Sequence, residues 1–161
     1  MKHYVIGCHI KKEIVNTDNG DADGFFINND YPIKVLATLP EGLSLWLGSK
    51  DVIPNATLSL GKLPKSIESN EGVIFYSEQI TTKSATLETL IKLKELGVDS
   101  NRILLITAIC SNKGLNEIAK LFPNQVIYTS CIDEEDDNTK FLLPGIGNPV
   151  SRLSTIFRDK N

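Results

Sequence analysis

Two short loops hold the groups of this sequence that are best suited to chemistry. The first, residues 141–148, is named the glycine loop here, and it reads Phe-Leu-Leu-Pro-Gly-Ile-Gly-Asn. Gly145 and Gly147 carry no side chain and tolerate positive φ, so their backbone N–H and C=O groups can approach a flat ligand or another chain closely. Pro144 stiffens the entry to the loop. An ordinary surface turn at the end of a strand is the alternative interpretation.

The second loop, residues 77–84, is named the threonine loop. Thr81, Thr82 and Ser84 supply hydroxyl groups, and Lys83 adds a positive charge just before a predicted helix. Backbone N–H groups and the helix dipole favour an anion at such a position, so weak phosphate binding is a reasonable hypothesis. An ordinary polar helix cap is the alternative.

Other reactive side chains favour structural roles. Cys8, Cys110 and Cys131 are odd in number and widely spaced, which indicates reduced thiols in a cytoplasmic setting, and the latter two are expected in the core. His3 and His9 are the only histidines, so a zinc site or a histidine relay has little support. The run of four carboxylates at residues 134–137 is interpreted as a solvated loop.

Composition fits one ordinary domain. The chain has 161 residues, of which 41% are hydrophobic and 23% charged, with a formal net charge of −3. These values give no membrane or nucleic-acid signature, although direct nucleic-acid contact stays open. We expect a single domain over residues 1–161, divided into a β-rich part at residues 1–57 and a core at residues 58–161.

The first sixty residues read as strands and turns, with no obvious helix. Strands are predicted at residues 4–6, 13–15, 31–37 and 43–47, and residues 52–60 are expected to complete a hairpin. Residues 18–24 are dense in turn formers and predict a solvated hairpin turn rather than a calcium loop.

From Val73 the pattern alternates between strand and helix. Apolar runs predict strands at residues 73–76, 103–109, 126–128 and 141–143. A helix ended by Gly97 and another capped by Asn112 and stopped by Pro123 lie between them. Such alternation predicts a parallel sheet with ligands beyond the carboxyl ends of its strands, where both loops lie.

Residues 58–157 resemble the carboxyl-terminal part of uracil phosphoribosyltransferase. The matching pieces include Lys62-Leu63-Pro64, the strand at residues 73–76, Gly114-Leu115, and residues 127–133. The glycine loop matches a family pattern of Tyr-Ile-Val-Pro-Gly-Leu-Gly-Asp, and Arg152 and Phe157 follow at the expected distance. The resemblance implies an α/β fold of the type I phosphoribosyltransferase class, a parallel sheet flanked by helices. Residues 1–57 match poorly, and the chain is short for the family.

In the family, the threonine loop reads Asp-Pro-Met-Leu-Ala-Thr-Gly-Gly-Ser and binds phosphoribosyl pyrophosphate. Its aspartate holds ribose hydroxyls, while its Thr-Gly-Gly-Ser backbone wraps the phosphate. Here Ser77 stands at the aspartate, and Glu78 follows one position late. The resemblance therefore implies a degenerate phosphoribosyl site, in which Lys83 and Ser84 replace both glycines. Its residues are Ser77, Thr81, Thr82, Lys83 and Ser84.

The glycine loop keeps more of the family pattern, because Gly145 and Gly147 stand where the family presents backbone groups to uracil. Asn148 and Ser151 replace two family aspartates, so the negative charge that would help catalysis or hold magnesium is lost. The resemblance implies no catalytic residue and no metal site here. The implied remnant of the base site is Phe141, Leu142, Gly145, Gly147 and Asn148.

These losses predict a family member without catalysis that acts as a binding or structural module. Its implied partners are uracil or a uridine nucleotide and a larger protein or ribonucleoprotein assembly. The alternative is a divergent active enzyme that makes UMP and diphosphate with magnesium as cofactor, in pyrimidine salvage. A third hypothesis is a sensor that binds uracil or UMP without turnover.

Overall fold

A computed structural model describes residues 10–27, 31–53, 56–77 and 79–147. The predicted strand at residues 4–6 and the residues Glu78, Asn148, Ser151, Arg152 and Phe157 lie outside this described part. Within it, no helix has the length and apolar character needed to cross a membrane.

The described chain forms an amino-terminal hairpin, a six-stranded sheet and helices that pack on that sheet. The strands are β1 (Ile10–Thr17), β2 (Gly20–Ile27), β3 (Ile33–Ala37), β4 (Ala56–Leu60), β5 (Gly72–Tyr76), β6 (Ile103–Ser111), β7 (Val126–Glu135) and β8 (Leu142–Leu143), and the α-helices are α1 (Glu41–Ser49), α2 (Thr86–Glu95) and α3 (Asn112–Leu121).

The six-stranded sheet has the order β4-β3-β5-β6-β7-β8. The first five strands in this order are parallel, whereas β8 runs antiparallel to β7. One core cluster joins Phe75 of β5 to Leu90 of α2 and Ile118 of α3, so these two helices cover one face of the sheet. A second cluster joins Ile74 to Trp46 of α1, which covers the opposite face. The predicted α/β architecture with a mostly parallel sheet is confirmed.

The prediction of a strand at residues 43–47 is wrong, because these residues lie within helix α1. In the helical conformation, Leu45 and Trp46 contact the sheet, and the Trp46 ring lies 6.5 Å from the ring of Tyr76. The predicted hairpin at residues 52–60 is also wrong. Because α1 carries the chain back across the sheet, β4 pairs parallel with β3.

The amino-terminal hairpin is confirmed in residues 10–27, but its turn is shorter than predicted. Only Asp18 and Asn19 form the turn, and residues 20–24 belong to strand β2. This hairpin forms a separate two-stranded sheet. The assignment of the whole chain to one domain with a boundary near residue 57 stays a prediction.

The helix ends follow ordinary capping chemistry. Gly97 has a φ of +81° after helix α2, and the Val98 N–H donates to the Leu93 carbonyl at 3.0 Å, which ends the helix as predicted. The cap of α3 is Ser111 rather than Asn112, since the Ser111 hydroxyl accepts from the Gly114 N–H at 2.9 Å. Cys110 is buried as predicted, but the predicted burial of Cys131 is wrong, because Cys131 is exposed on β7.

Candidate functional site

The threonine loop continues from the carboxyl end of β5 and is joined to the neighbouring end of β6. The Ile80 N–H donates to the Ile109 carbonyl at 3.0 Å, and the Ser111 N–H donates to the Ile80 carbonyl at 2.9 Å. The Ile80 carbonyl also lies 2.9 Å from where a Cβ on Gly114 would be, so the first turn of α3 packs tightly against this loop. The loop therefore extends the parallel pairing with β6 beyond the carboxyl end of β5, rather than forming an open flap.

Residues Thr81 to Ser84 close a turn of their own. The Ser84 N–H and hydroxyl both donate to the Thr81 carbonyl, at 3.1 and 2.9 Å, while the Lys83 side chain is exposed. Among the described residues, Lys140 is the only one other than glycine with positive φ. Lys83 and Ser84 thus do not adopt the left-handed conformation that a pair of glycines permits.

Ser77, the first residue of the threonine loop, is fully buried. Its Oγ lies 2.5 Å from Thr86 Oγ1 in the first turn of α2, and its N–H donates to the Ile106 carbonyl at 2.9 Å. The hydroxyl is therefore satisfied inside the protein and does not face solvent.

Glu135, at the end of β7, connects the threonine loop to α3. Its carboxylate accepts from the Thr82 N–H at 3.1 Å, from the Thr82 hydroxyl, and from the Ser111 hydroxyl at 2.6 Å. Burial raises the pKa of Glu135, but the hydrogen bonds from Ser111 and Thr82 outweigh it, so the net shift of the pKa is downward. The prediction of a loop at residues 134–137 is wrong for Glu134 and Glu135, because both belong to strand β7. Glu135 is also not solvated, since it is only 6% exposed.

The glycine loop follows β8 and keeps the conformation that its glycines allow. Gly145 has a φ of +58°, and a Cβ at this position would lie 2.2 Å from the Leu142 carbonyl oxygen. Gly147 also has a positive φ, of +70°. Leu142 is buried and anchors the loop, whereas Phe141 is 58% exposed.

Two polar contacts hold the glycine loop in place. The Gly145 N–H donates to Asp133 Oδ2 at 2.8 Å, and Gln79 Nε2 donates to the Gly147 carbonyl at 3.2 Å. The second contact joins the two loops across 68 positions of sequence. The structure thus brings Gly145 and Gly147 next to the threonine loop, at one end of the sheet.

Four residues that support the two loops were not predicted from the sequence: Gln79, Ser111, Asp133 and Glu135. Asp133 is the last residue of the stretch at residues 127–133. A usable signal for Ser111 was its place between a buried strand and a helix, where serine is a favoured cap. Gln79 and Glu135 carried no local signal, because their partners are distant in the sequence.

The mostly parallel six-stranded sheet flanked by helices is consistent with a phosphoribosyltransferase-like fold. The model of the family "Uracil phosphoribosyltransferase" matches residues 8–154. This chain therefore belongs to the uracil phosphoribosyltransferase family, which confirms the resemblance seen in the sequence.

Similar proteins agree with this membership. Over 162 residues, the chain is 30% identical to a uracil phosphoribosyltransferase of Fervidobacterium nodosum, covering 91% of this chain and 75% of the relative. A uracil phosphoribosyltransferase of Synechococcus elongatus is 24% identical over 155 residues, covering 86% and 71% of the respective chains. The solved structure of the AQ2163 protein from Aquifex aeolicus has a TM-score of 0.69 at 22% identity, covering 92% of this chain and 76% of that one, and supports the fold.

Proposed function

We propose that this protein is a family member that has lost phosphoribosyl transfer and acts as a binding or structural module. In this role, it would be a subunit of a larger protein or ribonucleoprotein assembly. The glycine loop is the part suited to hold uracil or a uridine nucleotide. The active divergent enzyme is the competing function, and the experiment below separates the two.

The state of Ser77 carries this proposal. The family needs a carboxylate there to hold ribose hydroxyls, and Ser77 is instead a buried hydroxyl that shares a hydrogen bond with Thr86. A neutral group turned into the core neither contacts ribose nor stabilises the positive charge that develops on ribose during transfer.

The closed turn at Thr81 to Ser84 supports the same conclusion. To wrap a phosphate with backbone N–H groups, the loop must open around the anion. In the family, glycines at the positions of Lys83 and Ser84 allow this opening. Here the Ser84 side chain donates back to Thr81 and holds the turn closed. Internal hydrogen bonds therefore stabilise the threonine loop in a closed conformation that is not suited to wrap a phosphate.

Magnesium, which the family implies, does not fit the described residues at this end of β5. Magnesium prefers carboxylate oxygens and water. The nearby carboxylates of Asp133 and Glu135 already accept hydrogen bonds from the two loops, and Ser77 faces Thr86. Magnesium binding is therefore not part of the proposed function.

The glycine loop supports retention of a flat ligand. Its positive φ values place backbone groups of Gly145 and Gly147 in a conformation that other residues reach only with strain. A nucleobase carries donors and acceptors along one edge, which a backbone segment can pair with. The Gly145 N–H and the Gly147 carbonyl are already bonded to Asp133 and Gln79, so the base would pair with the other backbone groups of the loop. Binding of uracil without transfer follows from keeping this loop while losing the other.

The test measures UMP formation from labelled uracil and phosphoribosyl pyrophosphate in the presence of magnesium. The Fervidobacterium nodosum relative serves as the positive control. We expect this protein to form no UMP above the rate without protein. In parallel, uracil should raise the unfolding midpoint of this protein in a saturable way.

UMP formation that exceeds background, and that disappears in Asn148→Ala, would contradict the loss of transfer and favour the active enzyme. Including the Asn148→Ala variant excludes a contaminating enzyme, because contamination would persist in that preparation. Absence of both UMP formation and uracil binding would leave a purely structural module.

A further inference from the structure

The contacts of Glu135 resemble those of a bound anion. Three donors converge on its carboxylate: the Thr82 N–H at 3.1 Å, the Thr82 hydroxyl, and the Ser111 hydroxyl at 2.6 Å. Donors of this kind, a backbone N–H and hydroxyls from two separate segments, are also the ones that recognise phosphate oxygens. The Glu135 carboxylate thus accepts from a set of donors that could also bind a phosphate.

Contacts that do not involve the Glu135 carboxylate hold the Ser111 donor in place. The Ser111 hydroxyl accepts from the Gly114 N–H at 2.9 Å as the cap of α3, so its proton is free to be donated elsewhere. The Ile80 carbonyl accepts from the Ser111 N–H, which ties this serine to the threonine loop. The spacing between Thr82 and Ser111 is thus set by the fold rather than by Glu135.

The carboxylate also excludes a second anion. Glu135 is only 6% exposed, so a phosphate that approached Thr82 would meet a buried charge of the same sign with little solvent between them. The net downward shift of the Glu135 pKa favours the ionised form at neutral pH. The positive charge of Lys140 contributes to the lowering of the Glu135 pKa. The Lys113 ammonium group donates to the backbone carbonyl of Glu135 at 3.3 Å.

We propose that Thr82 and Ser111 form an oxyanion-binding site that the protein's own Glu135 occupies, and that removing this carboxylate lets the site bind free phosphate. This inference deepens the proposed function, because it names what replaces the ligand of the degenerate threonine loop. It concerns anion binding alone and requires no catalytic step.

The experiment follows the unfolding midpoint against inorganic phosphate at constant ionic strength, balanced with chloride. Phosphate should leave the natural protein unchanged. In Glu135→Ala, saturating phosphate should raise the midpoint by about 4 °C, because a ligand that binds only the folded state stabilises it. Adding Thr82→Val to Glu135→Ala should abolish the rise.

Glu134→Ala is the matched control, because it removes the same charge from an exposed position on the same strand. It should behave like the natural protein. If Glu135→Ala does not fold, Glu135→Gln keeps the side-chain volume without the charge, and phosphate should displace its neutral amide and raise the midpoint.

A phosphate response in the natural protein or in Glu134→Ala would overturn the proposal. Folded Glu135→Ala and Glu135→Gln that both ignore phosphate would overturn it equally. The UMP measurement is independent of these outcomes, so the proposal of lost transfer can stand if the anion site fails, and the reverse.

Discussion

The glycine loop and the threonine loop lie side by side at one end of the sheet, yet they differ in what holds them. The glycine loop combines positive φ at Gly145 and Gly147 with contacts from the side chains of Asp133 and Gln79. The threonine loop depends on side chains, namely Ser84, Thr82 and Glu135, that satisfy its backbone from within. In the proposed function, the glycine loop keeps a shape that a ligand can use, whereas internal groups of the threonine loop stand in place of a ligand.

The contrast shows how a family site can change in parts. The two loops share the contact of Gln79 with Gly147 but otherwise use separate supports, since Asp133 holds the glycine loop and Glu135 the threonine loop. Substitutions in one loop therefore need not disturb the other. If the supports are separate, a substitution in one loop should change the stability or binding of that loop alone.

Restoring the family's carboxylate at residue 77 should be the most damaging change. Ser77→Asp places a charge in a fully buried position, where the Thr86 hydroxyl is the only side-chain partner within the part of the chain that the structure describes. We expect a loss of about 3 kcal/mol in the free energy of unfolding, because a buried charge without an ionic partner is costly. Chemical denaturation measures it.

Ser77→Ala is the control, since it removes the same hydrogen bond without adding a charge and should cost less. If Ser77→Asp were as stable as the natural protein, residue 77 would have to open to solvent. The threonine loop would then be less closed than its internal contacts indicate.

In the glycine loop, Gly145→Ala should destabilise by about 2 kcal/mol and abolish uracil binding. A Cβ with ideal geometry at residue 145 would lie only 2.2 Å from the Leu142 carbonyl oxygen, so the two atoms would clash. The positive φ of residue 145 adds backbone strain to this clash. Denaturation and a uracil titration measure the two effects.

Gly97→Ala separates strain from contact, because Gly97 has a φ of +81° with nothing within 4 Å of its added Cβ. It should cost about 1 kcal/mol and leave uracil binding intact. If both variants lose the same stability, the close approach at Gly145 is not a constraint on the loop.

The pH dependence should show the smallest effect. The folded state lowers the pKa of Glu135, so its hydrogen bonds stabilise the protein above the pKa of the unfolded state and are lost as the pH falls through the folded value. The stability difference between the natural protein and Glu135→Gln should therefore shrink from pH 7 to pH 3. Denaturation at several pH values measures it, with Glu134→Gln as the exposed control. A difference that stays constant with pH would mean that the charge of Glu135 does not matter.

The sequence predicted the fold well where patterns are long. Helix α2 has a broad apolar stripe that buries Leu90 and Leu93 and ends at Gly97, so its periodicity and stop signal agreed. Helix α1 was missed because Leu43, Leu45 and Leu47 alternate like a strand over only five residues. Pro40 and Glu41, which are favourable at a helix start, were the signal that could have identified it.

The site was predictable only in its local parts. At positions 145 and 147, the residue type alone predicts a conformation with positive φ, and both glycines adopt it. The burial of Glu135 depends on donors that lie 53 and 24 positions away in the sequence. A charged run without those partners is indistinguishable from a solvated loop, so no local pattern could place it.

The most direct test of the contrast between the loops is a two-ligand titration followed by backbone amide NMR. Uracil is added first and phosphoribosyl pyrophosphate second, with magnesium present throughout. We predict that uracil shifts the amide signals of Gly145 and Gly147, and that phosphoribosyl pyrophosphate leaves those of Thr81 to Ser84 unchanged. Saturable shifts of the Thr82 amide with phosphoribosyl pyrophosphate, and none of Gly145 with uracil, would contradict the account.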